Sequence, residues 1–167
     1  MSDPGPGPRD VAVRAHVLEL LRGGHAHATF ERATEALPPA LRGSVPHGGT
    51  HSPWQLVEHI RIAQHDILRF SMNDDGTYHS PPWPAGYWPA TSAPPSEDAW
   101  VASLVATAAD RAAMEALVSD AARDLLAPFP WGSGQTLLRE ALMVADHTAY
   151  HVGELVTTRQ LLGAWPP

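Results

Sequence analysis

The chain has 167 residues, enough for one domain that buries about 70% of the surface its unfolded form would expose. It holds no cysteine and, among eleven basic residues, no lysine, which excludes disulfides, thiolate metal ligands, Schiff-base chemistry and a lysine-bearing phosphate loop. A formal charge of −7 with scattered arginines argues against nucleic acid as a partner.

Met1 to Asp10 is acidic and rich in proline and glycine rather than basic and then apolar, and no run approaches the roughly 18 apolar residues of a membrane span. The expectation is a soluble cytoplasmic chain without membrane contact, a single domain over residues 1–167 with residues 1–9 as a flexible lead. From about Asp10 to Leu37 the positions Val13, Val17, Leu20, Leu21, Phe30, Ala33 and Leu37 recur near helical spacing, with Asp10 as a cap and Gly23 and Gly24 as a weak point. Pro38, Pro39 and the glycines from Gly43 to Gly49 end this first helix.

Ser52 followed by Pro53 reads as a cap and a first-turn proline, both compatible with the unpaired N–H groups of a helix start. The second helix runs to about Met72 with a stripe of Leu56, Ile60, Ala63 and Ile67, and His59 lies on the flank of that stripe. Residues 73–95 then mix Asp74, Asp75, Gly76 and repeated prolines with Tyr78, Trp83, Tyr87 and Trp88, and fit no regular element. A loop of this length is long for a compact domain. Extended, it spans about 70 Å, enough to run back along a bundle and start the next helix parallel to the last.

Ser96, with Glu97 and Asp98 behind it, starts a third helix through Trp100, Leu104, Ala108, Met114, Leu117 and Val118 to roughly Ala122. The fourth follows Gly134 with an inward stripe of Leu137, Ala141, Val144, Thr148, His151, Leu155, Thr158 and Leu162, and Gly163 ends it. The expected fold is all-α: a four-helix bundle in up-down-down-up order, with a long crossover between the second and third helices.

His147 and His151 are four residues apart on the fourth helix, which stacks both imidazoles on one face within reach of a single metal ion. Spacing alone is weak, because His47 and His51 are also four apart but lie in a Gly/Pro loop where helical spacing has no meaning. The context of the helical pair is stronger, since His151 falls in the apolar stripe and an unpartnered imidazole there would be desolvated. A satisfied structural pair is the competing reading. His59 is the best third ligand, being on the inward flank of a helix, whereas His65 lies about 240° further round. His16, His25, His27 and His79 read as surface or satisfied histidines.

The segments HSPWQLVEHIRIAQHDIL, from His51 to Leu68, and LLREALMVADHTAYHVGELVTTRQLLG, from Leu137 to Gly163, resemble the DinB/YfiT-like metalloprotein superfamily, whose pattern is one histidine on the second helix and H-x-x-x-H on the fourth. The resemblance covers nearly the whole chain. It implies that His59, His147 and His151 bind a divalent cation, zinc or nickel first and iron or manganese as alternatives, in a bundle that is commonly a homodimer. It further implies a metal-dependent transferase that activates a low-molecular-weight thiol, such as bacillithiol, mycothiol or glutathione, for attack on an electrophile. Glu154 stands where the family leads one to expect Gln, which makes it a candidate supporting carboxylate beside His151.

The glutamate base of H-E-x-x-H proteases is absent between His147 and His151, so proteolysis is not expected. The alternatives are a hydrolase using metal-bound hydroxide, with Asp66 or Glu154 as base, and a non-catalytic binding module pinned by the metal. Trp83, Tyr87 and Trp88 are candidates for lining a substrate pocket, against core-capping or dimer contact. Tyr150 is a candidate for orienting a ligand, against packing between helices. The P-P-W-P run reads as a stiff crossover rather than a polyproline ligand, and Asp146 as a surface or interface residue.

Overall fold

The structure, a computed structural model, describes residues 7–165, and its regular elements are all helical. These are α1 (Pro8–Arg22), α2 (Phe30–Thr34), α3 (Pro53–Ser71), α4 (Glu97–Ser119) and α5 (Leu137–Leu161), with short 3-10 turns at Pro39–Leu41 and Ala85–Tyr87. An isolated antiparallel bridge between Pro128 and Thr136 is the extent of β pairing among the described residues. No helix among the described residues is long and apolar enough to cross a membrane.

The expected first helix, continuous from Asp10 to Leu37, is in fact two. Gly23 and Gly24 take φ values of +70° and +87°, a region that glycine enters without the Cβ clash other residues meet, and α1 stops there. Thr29 then accepts from the Arg32 N–H and opens α2 afresh. At the other end, Pro8 and Arg9, expected in a flexible lead, are the first residues of α1, since proline at the first helical position forgoes no hydrogen bond. Residues 1–6 of that lead lie outside the described residues.

Apolar spacing misjudged the buried face of α1. Val13 and Leu20 are 41% and 57% exposed, while Arg14 is buried. The Arg14 guanidinium donates to the carbonyl oxygens of Val118, Asp120 and Arg123 around the C-terminal end of α4, and it pairs with Asp10. A buried charge is thereby satisfied, and so are carbonyls that a helix end leaves without intrahelical partners.

The long helices start where their caps put them. Ser52 and Gln55 form a reciprocal capping box on α3, Ser96 caps α4 through the Ala99 N–H, and Thr136 caps α5 through the Arg139 N–H. On α4 the expected stripe is displaced. Leu104 is only half-buried and Ala108 is exposed, whereas Ser103 and Thr107 are buried, the Thr107 hydroxyl donating to the Ser103 carbonyl within the helix. The Gln64 amide donates to the Thr107 carbonyl at 2.7 Å, and Glu58 lies close by, paired with Arg61.

Contacts between α3 and α4 ascend together: Trp54 meets Trp100, Gln64 meets Thr107 and His65 meets Asp110. Between α3 and α5 they run in opposite order, with His51 ahead of α3 meeting Glu154 late in α5 and Phe70 at the end of α3 meeting the Trp131 indole ahead of α5. Apolar burial forms two clusters. One gathers Val17, Leu21, Leu68, Met114, Leu137 and Val144, the other Phe30, Trp54, Leu56, Ile60, Trp100 and Leu155. His147 and His151 lie between Val144 and Leu155 on α5, and His59 lies beside Ile60 on α3, so the histidines sit at the junction of the two clusters.

Candidate metal centre

The helical period of α5 puts His147 and His151 one turn apart, and α3 brings His59 up against them. One nitrogen from each of the three lies within 4.8 Å of the others, and His59 Nε2 is 3.1 Å from His147 Nε2. Nitrogens bound at about 2.05 Å to a tetrahedral ion would lie about 3.3 Å apart, so the donor set fits a zinc-sized cation with small side-chain adjustments.

Hydrogen bonds on the far side of two rings select the nitrogen that faces inward. The Tyr87 carbonyl oxygen lies 2.8 Å from His59 Nδ1 and can only accept, so Nδ1 carries the proton and Nε2 presents its lone pair. Glu154 places one carboxylate oxygen 3.0 Å from His151 Nδ1, which selects the same tautomer there. His147 is pushed down to about 4, by burial first and then by the neighbouring His151 and His59. Burial also lowers His59, against the pull of the Tyr87 carbonyl. Both rings are therefore neutral near pH 7, which is the form that binds metal.

The crossover loop supplies the next layer. Trp88 lies parallel to His59 and to His51, with ring centroids 3.9 and 4.1 Å away. Asp66 accepts from the Tyr78 hydroxyl at 2.9 Å and from the Tyr87 hydroxyl at 2.6 Å, tying the loop to α3. Burial and the Asp66 carboxylate push Tyr87 up to about 12 and raise Tyr78 as well.

A cavity of about 610 Å³ opens onto the cluster, lined by His59, His147 and His151 together with Asp66, Met143, Trp83, Tyr87, Trp88 and Tyr150. A second cavity of about 570 Å³, lined by Phe30, Arg42 and Trp100, lies away from the clustered histidines.

Several expectations change in detail. Tyr150 is 71% exposed and sets its ring edge-on to His151, so it does not pack between helices. Trp83 is 78% exposed and leans on Tyr87 rather than capping the core, whereas Trp88 does pack against the cluster around Trp54 and Ile60. Asp66 acts on the histidines through Tyr87, because both its oxygens are engaged by tyrosine hydroxyls. His51, set aside with His47 as part of a Gly/Pro loop, also reaches the cluster. Its Nδ1 lies 3.2 Å from the second oxygen of Glu154 and 3.1 Å from the Thr50 hydroxyl. Spacing from His47 carried no information; the usable signals were the adjacent Ser52 cap and the carboxylate at position 154.

The sequence matches the family model described as the DinB superfamily over residues 22–155, most of the chain and all three clustered histidines. The chain belongs to the DinB superfamily. No curated protein and no solved structure matches it. The DinB match runs from the end of α1 to Leu155, so it takes in the capping box of α3, the crossover loop and Glu154 as well as the histidines.

Proposed function

We propose that this DinB-superfamily chain is a metal-dependent transferase in which zinc or nickel, held by His59, His147 and His151, activates a low-molecular-weight thiol for attack on an electrophile. The observation that carries the reading is that the three histidines form one wall of the 610 Å³ cavity rather than a closed cage. A bound divalent cation supplies the Lewis acidity that makes a thiol give up its proton at neutral pH.

The chain's own residues supply the remainder. Trp83, Tyr87 and Tyr150 offer apolar surface for an electrophile next to the histidines, and Asp66 keeps Tyr87 in place. The thiol proton passes to solvent, a sulfur–carbon bond forms, and the displaced group leaves with its bonding pair. The sulfur comes from a small molecule, since the chain has no cysteine. Hydrolysis with Asp66 or Glu154 as the base is disfavoured because neither carboxylate is free. Asp66 is engaged by two hydroxyls and Glu154 by two imidazoles.

Within the same reading the four long helices form an up-down-down-up bundle with the crossover lying over the site. The chain acts in the cytoplasm as a homodimer, supported by the exposed Leu142, Met143, Tyr150 and Leu161 along α5. A sedimentation experiment at micromolar concentration that finds only monomer removes the dimer.

Cobalt(II) added to metal-free protein tests the activity. The expected result is a visible spectrum at one equivalent, followed by a near-ultraviolet sulfur-to-cobalt charge-transfer band when a small thiol is added. A cobalt spectrum that no thiol alters overturns the transferase reading.

A further inference from the structure

We propose that His51 and Glu154 are positioning residues of the metal centre, with Trp88 as their common brace. The inference rests on the metal-binding part of the reading above and is independent of the thiol chemistry.

Glu154 is one turn from His151, and that spacing alone puts its carboxylate on the same face of α5. A half-exposed glutamate is ordinarily free to rotate in solvent, and holding one long side chain in one geometry costs about 1 kcal/mol or more of rotamer entropy. Here both oxygens are committed: one lies 3.0 Å from His151 Nδ1 and the other 3.2 Å from His51 Nδ1. An N–H on each ring nitrogen donates to the carboxylate, so His51 holds Glu154 and Glu154 holds His151. His151 is then left with Nε2 as its free nitrogen, turned to the same task as His59 Nε2.

Trp88 closes the circuit. Its indole lies parallel to His51 within 13° and to His59 within 1°, and the His59 ring meets His151 edge-on at 4.5 Å. His51, Glu154, His151, His59 and Trp88 thus form a ring of contacts drawn from the segment ahead of α3, from α3, from the crossover and from α5. Each member of the ring contacts the next. Partners behind a metal-binding histidine fix its tautomer and raise its basicity, and their loss commonly lowers metal affinity about 10- to 100-fold. A carboxylate in this place also gives the histidine set a negative neighbour that a glutamine would not.

Zn²⁺ affinity, measured by chelator competition on the full chain, tests the proposal. Glu154→Ala is expected to weaken Zn²⁺ binding by about tenfold or more, and the isosteric Glu154→Gln, which keeps an acceptor for His151 but not the charge, to lose less. His51→Ala should weaken binding in the wild-type background and weaken it by clearly less in the Glu154→Ala background, because its hydrogen-bonded route to His151 passes through that carboxylate while its stacking on Trp88 remains. Helical circular dichroism accompanies each variant, and the cobalt(II) visible spectrum should change with Glu154→Ala, as a purely structural substitution elsewhere would not make it do. Zn²⁺ affinity within twofold of wild type for Glu154→Ala, or fully additive losses in the double variant, overturns the proposal while leaving the metal site standing. Failure of the wild type to bind one Zn²⁺ overturns both.

Discussion

The Tyr87 carbonyl oxygen accepts from Nδ1 of His59 at 2.8 Å, so the backbone of the crossover loop decides which nitrogen of His59 faces the other two histidines. The same residue is held from its other end, where its hydroxyl donates to Asp66. Tyr87 thus connects a carboxylate on α3 with an imidazole nearly two turns earlier on the same helix.

Alkaline titration reads this connection directly. Burial and Asp66 hold Tyr87 at about 12 and raise Tyr78, so phenolate absorbance from these residues should rise well above the ordinary tyrosine value of 10. Because the folded-state pKa is the higher one, the contribution to stability is complete below pH 10 and is lost as pH climbs through about 12. Asp66→Asn should move both transitions back towards 10; unchanged transitions would show that Asp66 does not hold the loop.

The metal-free protein should weaken in mild acid for a related reason of opposite sign. His147 binds its proton only near pH 4 when folded, against an ordinary value of 6.5, so the unfolded chain takes up more protons between those values. This contribution to stability is fully present above pH 6.5 and falls away as pH drops towards 4. Urea midpoints measured across that window should decline for the wild type and decline less for His147→Phe. Parallel curves would refute the assignment.

His151→Ala should abolish stoichiometric Zn²⁺ binding while leaving helical circular dichroism close to wild type. Removing one of three ligands leaves a pair unable to hold the ion, whereas both apolar clusters are built from other residues. Retained one-to-one binding, seen by calorimetry, would mean the ion sits elsewhere.

Gly153 lies exposed in the middle of α5, and a Cβ built there meets nothing within 4 Å. Ala at such a position should stabilise the chain by about 0.5–1 kcal/mol, since glycine is the poorer helix former and the more flexible unfolded residue. A lower melting temperature for Gly153→Ala would show that another surface comes close to this point.

The helix starts and the histidine triplet were legible because each depends on local chemistry. Ser52 before Pro53, Ser96 before two acids and Gly163 at the end of α5 act within one turn, and the helical period stacks His147 and His151; His59 came from its place on the flank of its helix and from the family resemblance. The buried arginines were not legible. Arg14 is satisfied by carbonyls more than 100 residues away, and Arg159 by those of Ala33 and Ala164, so no periodicity marks either as interior. His51 escaped for the same reason, and Trp88, expected at a pocket or over the core, was not expected between two imidazoles. Both lie outside regular helices, and their roles arise from stacking between segments that only the folded chain brings together.

That α3 and α4 ascend together has a consequence for the cavity. The connector between them has to travel the length of the molecule, and on its way it furnishes Trp83, Tyr87 and Trp88 to the cavity. The three clustered histidines stand on α3 and α5, while much of the cavity wall beside them comes from this connector. Changes at Trp83 can therefore reshape the cavity wall without altering a histidine, whereas changes at Tyr87 and Trp88 also reach His59.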